Sequence, residues 1–128
     1  MTPARLTAQA PVMLASNLIE SVEFWKARCG FTANLWGDPP DFAILRRDGM
    51  HLMLSQKPAG HEIIPNWHIK DKLWNAYFWV DDAKALHAEF VAAGAPIDYG
   101  PCVQDYGVLE FGIQDPDGRD IAFGQSLD

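Results

Sequence analysis

Residues 115–125, "DPDGRDIAFGQ", repeat a pattern that the chain has already used at residues 47–56, "RDGMHLMLSQ". In both stretches an Asp-Gly pair is followed by apolar residues at every second position, which is typical of a hairpin turn leading into a strand. A repeat of this kind in a chain of 128 residues indicates a duplicated module. Aligned on the Asp-Gly pairs, the matches are Leu52 with Ile121, Leu54 with Phe123 and Gln56 with Gln125.

The repeat extends upstream to one helix in each copy. "SNLIESVEFWKARCGF" (16–31) has Asn17 as an N-cap, Glu20 three residues later as in a capping box, and Gly30 as a stop. "VDDAKALHAEFVAAGA" (80–95) has the same plan, with Asp82 or Asp81 as the cap. The apolar stripes that we expect to be buried are Leu18, Val22 and Trp25 in the first helix and Leu86, Phe90 and Ala93 in the second.

Each helix follows one strand-like segment and precedes three others. The chain is therefore predicted to be a single domain, 1–128, built from two βαβββ modules at 9–56 and 75–125. Residues 57–74, which contain Pro58, Gly60 and Pro65, are predicted to be a linker loop. One helix cannot cover both faces of a sheet, so the two sheets should pair in an α+β fold, as a curved, partly open mixed-sheet barrel. A concavity between sheets is a common place for a ligand.

Composition limits the possible partners. Seventeen acidic against ten basic residues give a net charge of −7, which argues against nucleic-acid binding and favours cationic ligands, or serves solubility alone. No apolar run approaches the length of a membrane span, and the N-terminal segment lacks the apolar region of a secretory signal. Cys29 and Cys102 stand apart in sequence, which predicts reduced thiols and a cytoplasmic protein.

Three segments carry a resemblance to a known family: "SVEFWKARCGF", "YFWVDDAKALHAEFVAAGA" and "YGVLEFGIQDPDGRDIAFG". Over about residues 9–125 the chain resembles the vicinal-oxygen-chelate superfamily, which includes glyoxalase I, extradiol dioxygenases and bleomycin-resistance proteins. "PVMLASNLIESVEFW" and "EFGIQDPDG" look most like the bleomycin-resistance branch, although Leu109 stands where that branch usually has Arg. The resemblance implies the glyoxalase/bleomycin-resistance fold, a homodimer, and binding of a small molecule in the manner of antibiotic-resistance proteins.

The same resemblance implies four positions for metal ligands, which metal-using members fill with His and Glu. In this chain the four positions fall on Ala10, Met53, Asn75 and Ala122. Ala has no donor atom, Met suits soft metals, and the Asn amide is a poor ligand for zinc or iron. The sequence therefore predicts no metal and no other cofactor.

Aromatic and apolar side chains are left to line the cavity. Alternation puts Tyr77 and Trp79 on the face of Asn75, and Val12 and Leu14 on the face of Ala10. We expect Trp79 to be central and better shielded from water than Trp36, which should lie at the rim. The candidate ligand-binding residues are Val12, Leu14, Trp36, Phe42, Met53, Trp67, Asn75, Tyr77, Trp79, Tyr106 and Ala122.

Three other side chains offer alternatives to simple binding. His51, Glu110 and Asp120 could act as replacement metal ligands, and His51 or Glu110 as a general base. The structural alternative is that His51 and Asp120 meet water while Glu110 hydrogen-bonds to backbone. His87 is expected on the wet face of its helix.

The main hypothesis is a metal-free binding protein with no catalytic residue, which sequesters a planar or cationic molecule in an aromatic cavity at a dimer interface. The alternative is a metal-dependent glyoxalase- or dioxygenase-like enzyme with non-standard ligands, and a third possibility is a cofactor-free isomerase.

Overall fold

The computed structural model describes residues 1–128, which form two consecutive βαβββ units, so the predicted fold class is confirmed. The linker between the units contains a single helical turn in a segment that was predicted to be a loop. The elements are β1 (Val12–Ala15), α1 (Leu18–Cys29), β2 (Thr32–Gly37), β3 (Pro40–Arg47), β4 (Met50–Gln56), α2 (Asn66–Ile69), β5 (Ala76–Trp79), α3 (Ala83–Ala92), β6 (Ile97–Gln104), β7 (Val108–Gln114) and β8 (Asp120–Ser126).

The strands form two separate four-stranded sheets with the same topology. Sheet A has the order β1-β4-β3-β2 and sheet B has the order β5-β8-β7-β6. In each sheet the first and last strands of the module pair in parallel, and the other pairs are antiparallel. Both sheets are mixed and unclosed, and the sequence repeat between 47–56 and 115–125 corresponds to β4 and β8.

Local sequence signals fix both helices as predicted. The side chains of Asn17 and Asp82 cap α1 and α3 by accepting hydrogen bonds from the backbone N–H of Glu20 and Ala85, at 3.1 and 3.0 Å. Gly30 ends α1 with a φ of 74°, a left-handed conformation that glycine adopts without steric cost.

Each sheet has one face packed against a helix and one face left open. In β4, Leu52 and Leu54 point toward α1 and are fully buried, while Met53 between them is half-buried on the other side. We call these two sides the packed face and the open face. On the open faces of the single chain, Val12 of sheet A is 65 % exposed and Trp79 of sheet B is 66 % exposed.

The packed faces meet at a seam between the two modules. The ring of Phe78 on β5 lies 6.5 Å from Trp25 of α1 and 6.2 Å from Phe31, centroid to centroid. Arg47 at the end of β3 donates two hydrogen bonds to the carboxylate of Glu89 on α3, at 2.6 and 2.9 Å. The core is therefore one continuous cluster shared by both modules.

The sixth strand runs through a Gly-Pro pair. Gly100-Pro101 lies in the middle of β6, although Gly-Pro pairs usually mark turns. The structure continues β6 to Gln104 through two register shifts. β6 is the edge of sheet B, where a missing backbone donor is tolerated. None of the three helices combines the length and the apolar character needed to cross a membrane.

Candidate functional site

The open face of sheet B gathers all three tyrosines of the chain around one buried carboxylate. Glu110 on β7 is 1 % exposed. Its Oε1 accepts hydrogen bonds from the hydroxyls of Tyr77 and Tyr106, at 2.7 and 2.5 Å. Its Oε2 accepts one from the hydroxyl of Tyr99, at 2.6 Å. We call these four residues the Glu110 cluster.

Three tryptophans surround the cluster. Trp74 donates its indole N–H to the hydroxyl oxygen of Tyr99 at 2.9 Å, and its ring packs edge-on against Tyr77. Trp67 of α2 lies 5.9 Å from the Tyr99 ring, and Trp79 lies 5.0 Å from the Tyr77 ring. The open face of sheet B is thus a wall of aromatic rings with a carboxylate beneath it.

Two glycines make room for these rings. A Cβ at Gly112 would collide with the ring of Tyr99, and one at Gly124 would collide with the hydroxyl of Tyr77. Tyr99, Trp74 and the Glu110 cluster as such were missed by the sequence reasoning. Glycine inside a strand often marks the close approach of another group. Gly112 and Gly124 are therefore the sequence signals from which the Glu110 cluster could have been predicted.

The three phenols of the cluster hold their protons strongly. Burial, followed by hydrogen bonding to Glu110, raises the pKa of Tyr77, Tyr99 and Tyr106 above the usual range. All three phenols therefore stay protonated at neutral pH. Both carboxylate oxygens already accept phenolic hydrogens, so Glu110 is poorly placed to remove a proton from a substrate.

The predicted ligand-binding residues divide between the two sheets. Tyr77, Trp79, Trp67 and Tyr106 lie in or beside the Glu110 cluster. Trp36 packs against Phe42 within sheet A, and neither ring contacts an aromatic ring of sheet B. Along the open face of sheet A lie Val12, Leu14, Trp36, Phe42 and Met53.

The four positions implied for metal ligands do not fit a metal. Ala10 precedes β1, Met53 pairs with Val12, and Ala122 is fully buried opposite Tyr77. The amide oxygen of Asn75 already accepts the backbone N–H of Asn66 at 3.0 Å. No group of three or more His, Cys, Asp or Glu side chains comes together in a way that could hold an ion.

The structure corrects the expected surroundings of four polar residues. Glu110 bonds to phenols and not to backbone, and Asp120 is 1 % exposed instead of open to water. His51 is half-buried on sheet A, with a buried Nδ1 that has no partner. It lies on a different sheet from Glu110 and Asp120. His87 is also half-buried, because its ring packs against Phe111.

The expected shielding of Trp79 is also wrong for the single chain. Trp79 is 66 % exposed and Trp36 is 47 % exposed, because Trp79 ends the short strand β5. Trp79 is also one of the residues that line a cavity of about 440 Å³ at the seam between the modules, together with Phe31, Phe78 and Phe90. Trp79 thus lies between this seam cavity and the open face of sheet B.

Comparison with known proteins identifies the family. Residues 9–123 match the family model of the glyoxalase/bleomycin resistance protein/dioxygenase superfamily. The chain belongs to this superfamily, in agreement with its two βαβββ modules. No curated protein matches the chain by sequence.

Solved structures share the fold along nearly the whole chain. A bleomycin-binding protein from Streptomyces verticillus, complexed with copper(II)-bleomycin, is 25 % identical with a TM-score of 0.69, over 98 % of this chain and 99 % of that one. TnmS3, an antibiotic binding protein from Streptomyces sp. CB03234, is 20 % identical with a TM-score of 0.71, over 98 % and 99 %. A lactoylglutathione lyase from Agrobacterium tumefaciens is 17 % identical with a TM-score of 0.69, over 99 % and 97 %.

Proposed function

We propose that the protein binds a planar or cationic small molecule, without a metal and without chemical conversion. The observation that carries this proposal is the aromatic wall of sheet B with Glu110 beneath it. Flat aromatic rings bind planar ligands by stacking and cations through their π faces, with each contact contributing about 0.5–2 kcal/mol. The likeness to a bleomycin-binding protein supports the same class of function.

A second copy of the chain is proposed to complete the binding groove. The five predicted ligand-binding residues of sheet A are apolar or aromatic, and a single chain leaves them partly or largely exposed. Contiguous exposed apolar surface of this kind marks an interface or a binding site. In a C2 dimer that brings sheet A of one subunit against sheet B of the other, the two sheets would form the sides of two equivalent grooves. The two free cysteines support the cytoplasm as the expected location.

The test is a fluorescence titration with 9-aminoacridine, a planar cation. We expect saturable binding that weakens as salt is added, because ionic screening reduces the attraction of an acidic protein for a cation. Trp79→Ala should weaken binding by about 0.5–2 kcal/mol. Ile69→Ala is the matched control, since Ile69 is also a large exposed apolar residue, at 72 %. Absence of binding to this probe, or equal affinity in the Trp79→Ala variant, would contradict the proposal.

Metal content separates this proposal from the enzyme alternative. A catalytic metal site needs about three good protein ligands and one open position. The positions Ala10, Met53, Asn75 and Ala122 supply only a thioether and an amide that is already bonded. We expect elemental analysis of untagged protein, purified without chelator, to find no stoichiometric transition metal. One metal per subunit, lost in His51→Ala, would favour the enzyme.

A further inference from the structure

We infer that the Glu110 cluster is a subsite that accepts hydrogen-bond donors only, and that it takes an ammonium or amidinium group of the ligand. This inference rests on the proposed binding function and adds the chemical class of the group that is recognised. It makes Glu110 the residue that determines specificity, acting through the tyrosines that cover it.

Counting hydrogens establishes the polarity of the subsite. A phenol has one hydrogen to donate, and Tyr77, Tyr99 and Tyr106 all donate theirs to Glu110. The Tyr99 oxygen also receives the indole hydrogen of Trp74. The free lone pairs of Tyr77 and Tyr106 are what remains for a ligand. A ligand carboxylate or carbonyl would therefore find no phenolic donor, while an N–H group would find acceptors.

Glu110 has no cationic partner within the protein. Glu110 takes part in none of the ion pairs of the structure, although it is almost fully buried. All four hydrogen-bond partners of Glu110, the three phenols and the Gln104 amide, donate to its oxygens, as they would to a carboxylate. Buried charges are usually paired with an opposite charge. A cationic ligand group resting on the phenol oxygens would supply the missing charge.

The subsite is both preorganised and accessible. The Tyr77 and Tyr99 rings fit against the bare backbone of Gly124 and Gly112, so their hydroxyls are held in place before a ligand arrives. Tyr106 is 56 % exposed, which leaves its side of the cluster open to solvent. A ligand can therefore reach the phenol oxygens without any rearrangement of the sheet.

The test compares two probes that differ by one amino group. Above neutral pH, 9-aminoacridine is a cation, whereas acridine is neutral. In the wild-type protein we expect the cation to bind at least about tenfold more tightly, as a charge-assisted contact would give. In Glu110→Gln the ratio of the two dissociation constants should fall close to one. The new amide removes the charge and, by donating to one phenol, turns that phenol's hydrogen toward the ligand.

Asp105→Asn is the matched control. It removes the same charge from the exposed turn after β6, where Asp105 makes no hydrogen bond or ion pair through its side chain. The ratio should then stay within about twofold of the wild-type value, because exposed charges are well screened. Gln104→Lys is the second variant. The amide nitrogen of Gln104 lies 3.5 Å from Glu110 Oε2, so a lysine there would place a cation beside the intact carboxylate and abolish the preference.

The outcomes are distinguishable. If neither probe binds to the wild-type protein, the proposed binding function itself fails. If the two probes bind the wild-type protein equally, the binding function stands and the donor-selective subsite is overturned. The same holds if the preference for the cation persists in Glu110→Gln and in Gln104→Lys. Circular dichroism spectra check that each variant is folded. If Glu110→Gln does not fold, the result for Gln104→Lys decides the test.

Discussion

Asp120 is a buried acid at the start of β8, next to a second carboxylate. It is 1 % exposed, its Oδ1 accepts a hydrogen bond from Gln114 at 3.3 Å, and its Oδ2 has no partner. Burial raises its pKa to about 7, and the neighbouring charges of Asp98 and Asp115 act in the same direction. Asp120 is therefore mostly protonated in the folded protein under mildly acidic conditions.

This raised pKa predicts a pH dependence of stability. In the unfolded chain an aspartate titrates near its ordinary value of about 3.9, so the folded state holds its proton more tightly. The stabilisation that protonated Asp120 contributes is therefore complete below about pH 4 and is lost as the pH rises toward 7. We expect Asp120→Asn to reduce this loss by at least about 1 kcal/mol, measured by urea unfolding across the window. Asp71→Asn, at an exposed aspartate, should keep the wild-type slope; an unchanged slope in Asp120→Asn would refute the assignment.

At the scale of elements, the last strand of each module holds the start of that module's helix. The side-chain oxygen of Gln56 accepts the backbone N–H of Leu18, the first residue of α1, at 2.9 Å. Gln125 does the same for Ala83, the first residue of α3, also at 2.9 Å. These N–H groups have no partner within their own helices. The matched glutamines of the sequence repeat thus have the same structural role.

Removing either glutamine should therefore destabilise the protein by a similar amount. We expect Gln56→Ala and Gln125→Ala each to lower the free energy of unfolding by about 1 kcal/mol, as loss of a helix cap does. The double variant should show the sum, because the two sites lie in different modules. Gln9→Ala, in the exposed N-terminal segment, is the control. Denaturant titrations measure all four, and a cost confined to one glutamine would contradict the equivalence.

Sequence patterns predicted what depends on neighbouring residues, and missed what depends on distant ones. The caps at Asn17 and Asp82, the stop at Gly30 and the repeated modules all follow from short-range spacing. The partners of Glu110 do not, because Tyr77 lies 33 residues away on another strand. Tyr99 was missed for a second reason: the register shifts of β6 cannot be seen in a pattern of alternation. The burial of Asp120 likewise depends on its neighbours in β7.

At the scale of the whole molecule, the exposed apolar surface predicts self-association. Val12 and Trp36 on sheet A, and Trp79 on sheet B, are each about half exposed or more in the single chain. Pro11, just before β1, lacks a backbone donor and could direct residues 1–9, which are exposed and without regular structure, toward a partner.

We expect sedimentation velocity to show a dimer at tens of micromolar protein, a range in which specific interfaces are occupied. Val12→Glu should shift the protein to monomer by placing a charge in the open face of sheet A. Val91→Glu, at a valine of α3 that is 52 % exposed, should leave the dimer intact. A wild-type protein that sediments only as a monomer would rule out a groove shared between two subunits.

The gathering of every tyrosine at Glu110 gives the protein a built-in optical reporter. Because the chain has no tyrosine elsewhere, any phenol band in an ultraviolet difference spectrum arises at this one place. An alkaline spectrophotometric titration should show phenolate appearing at higher pH than for free tyrosine, since all three pKa values are raised. Binding of a ligand at the proposed subsite should therefore be detectable by absorbance alone, with no label attached.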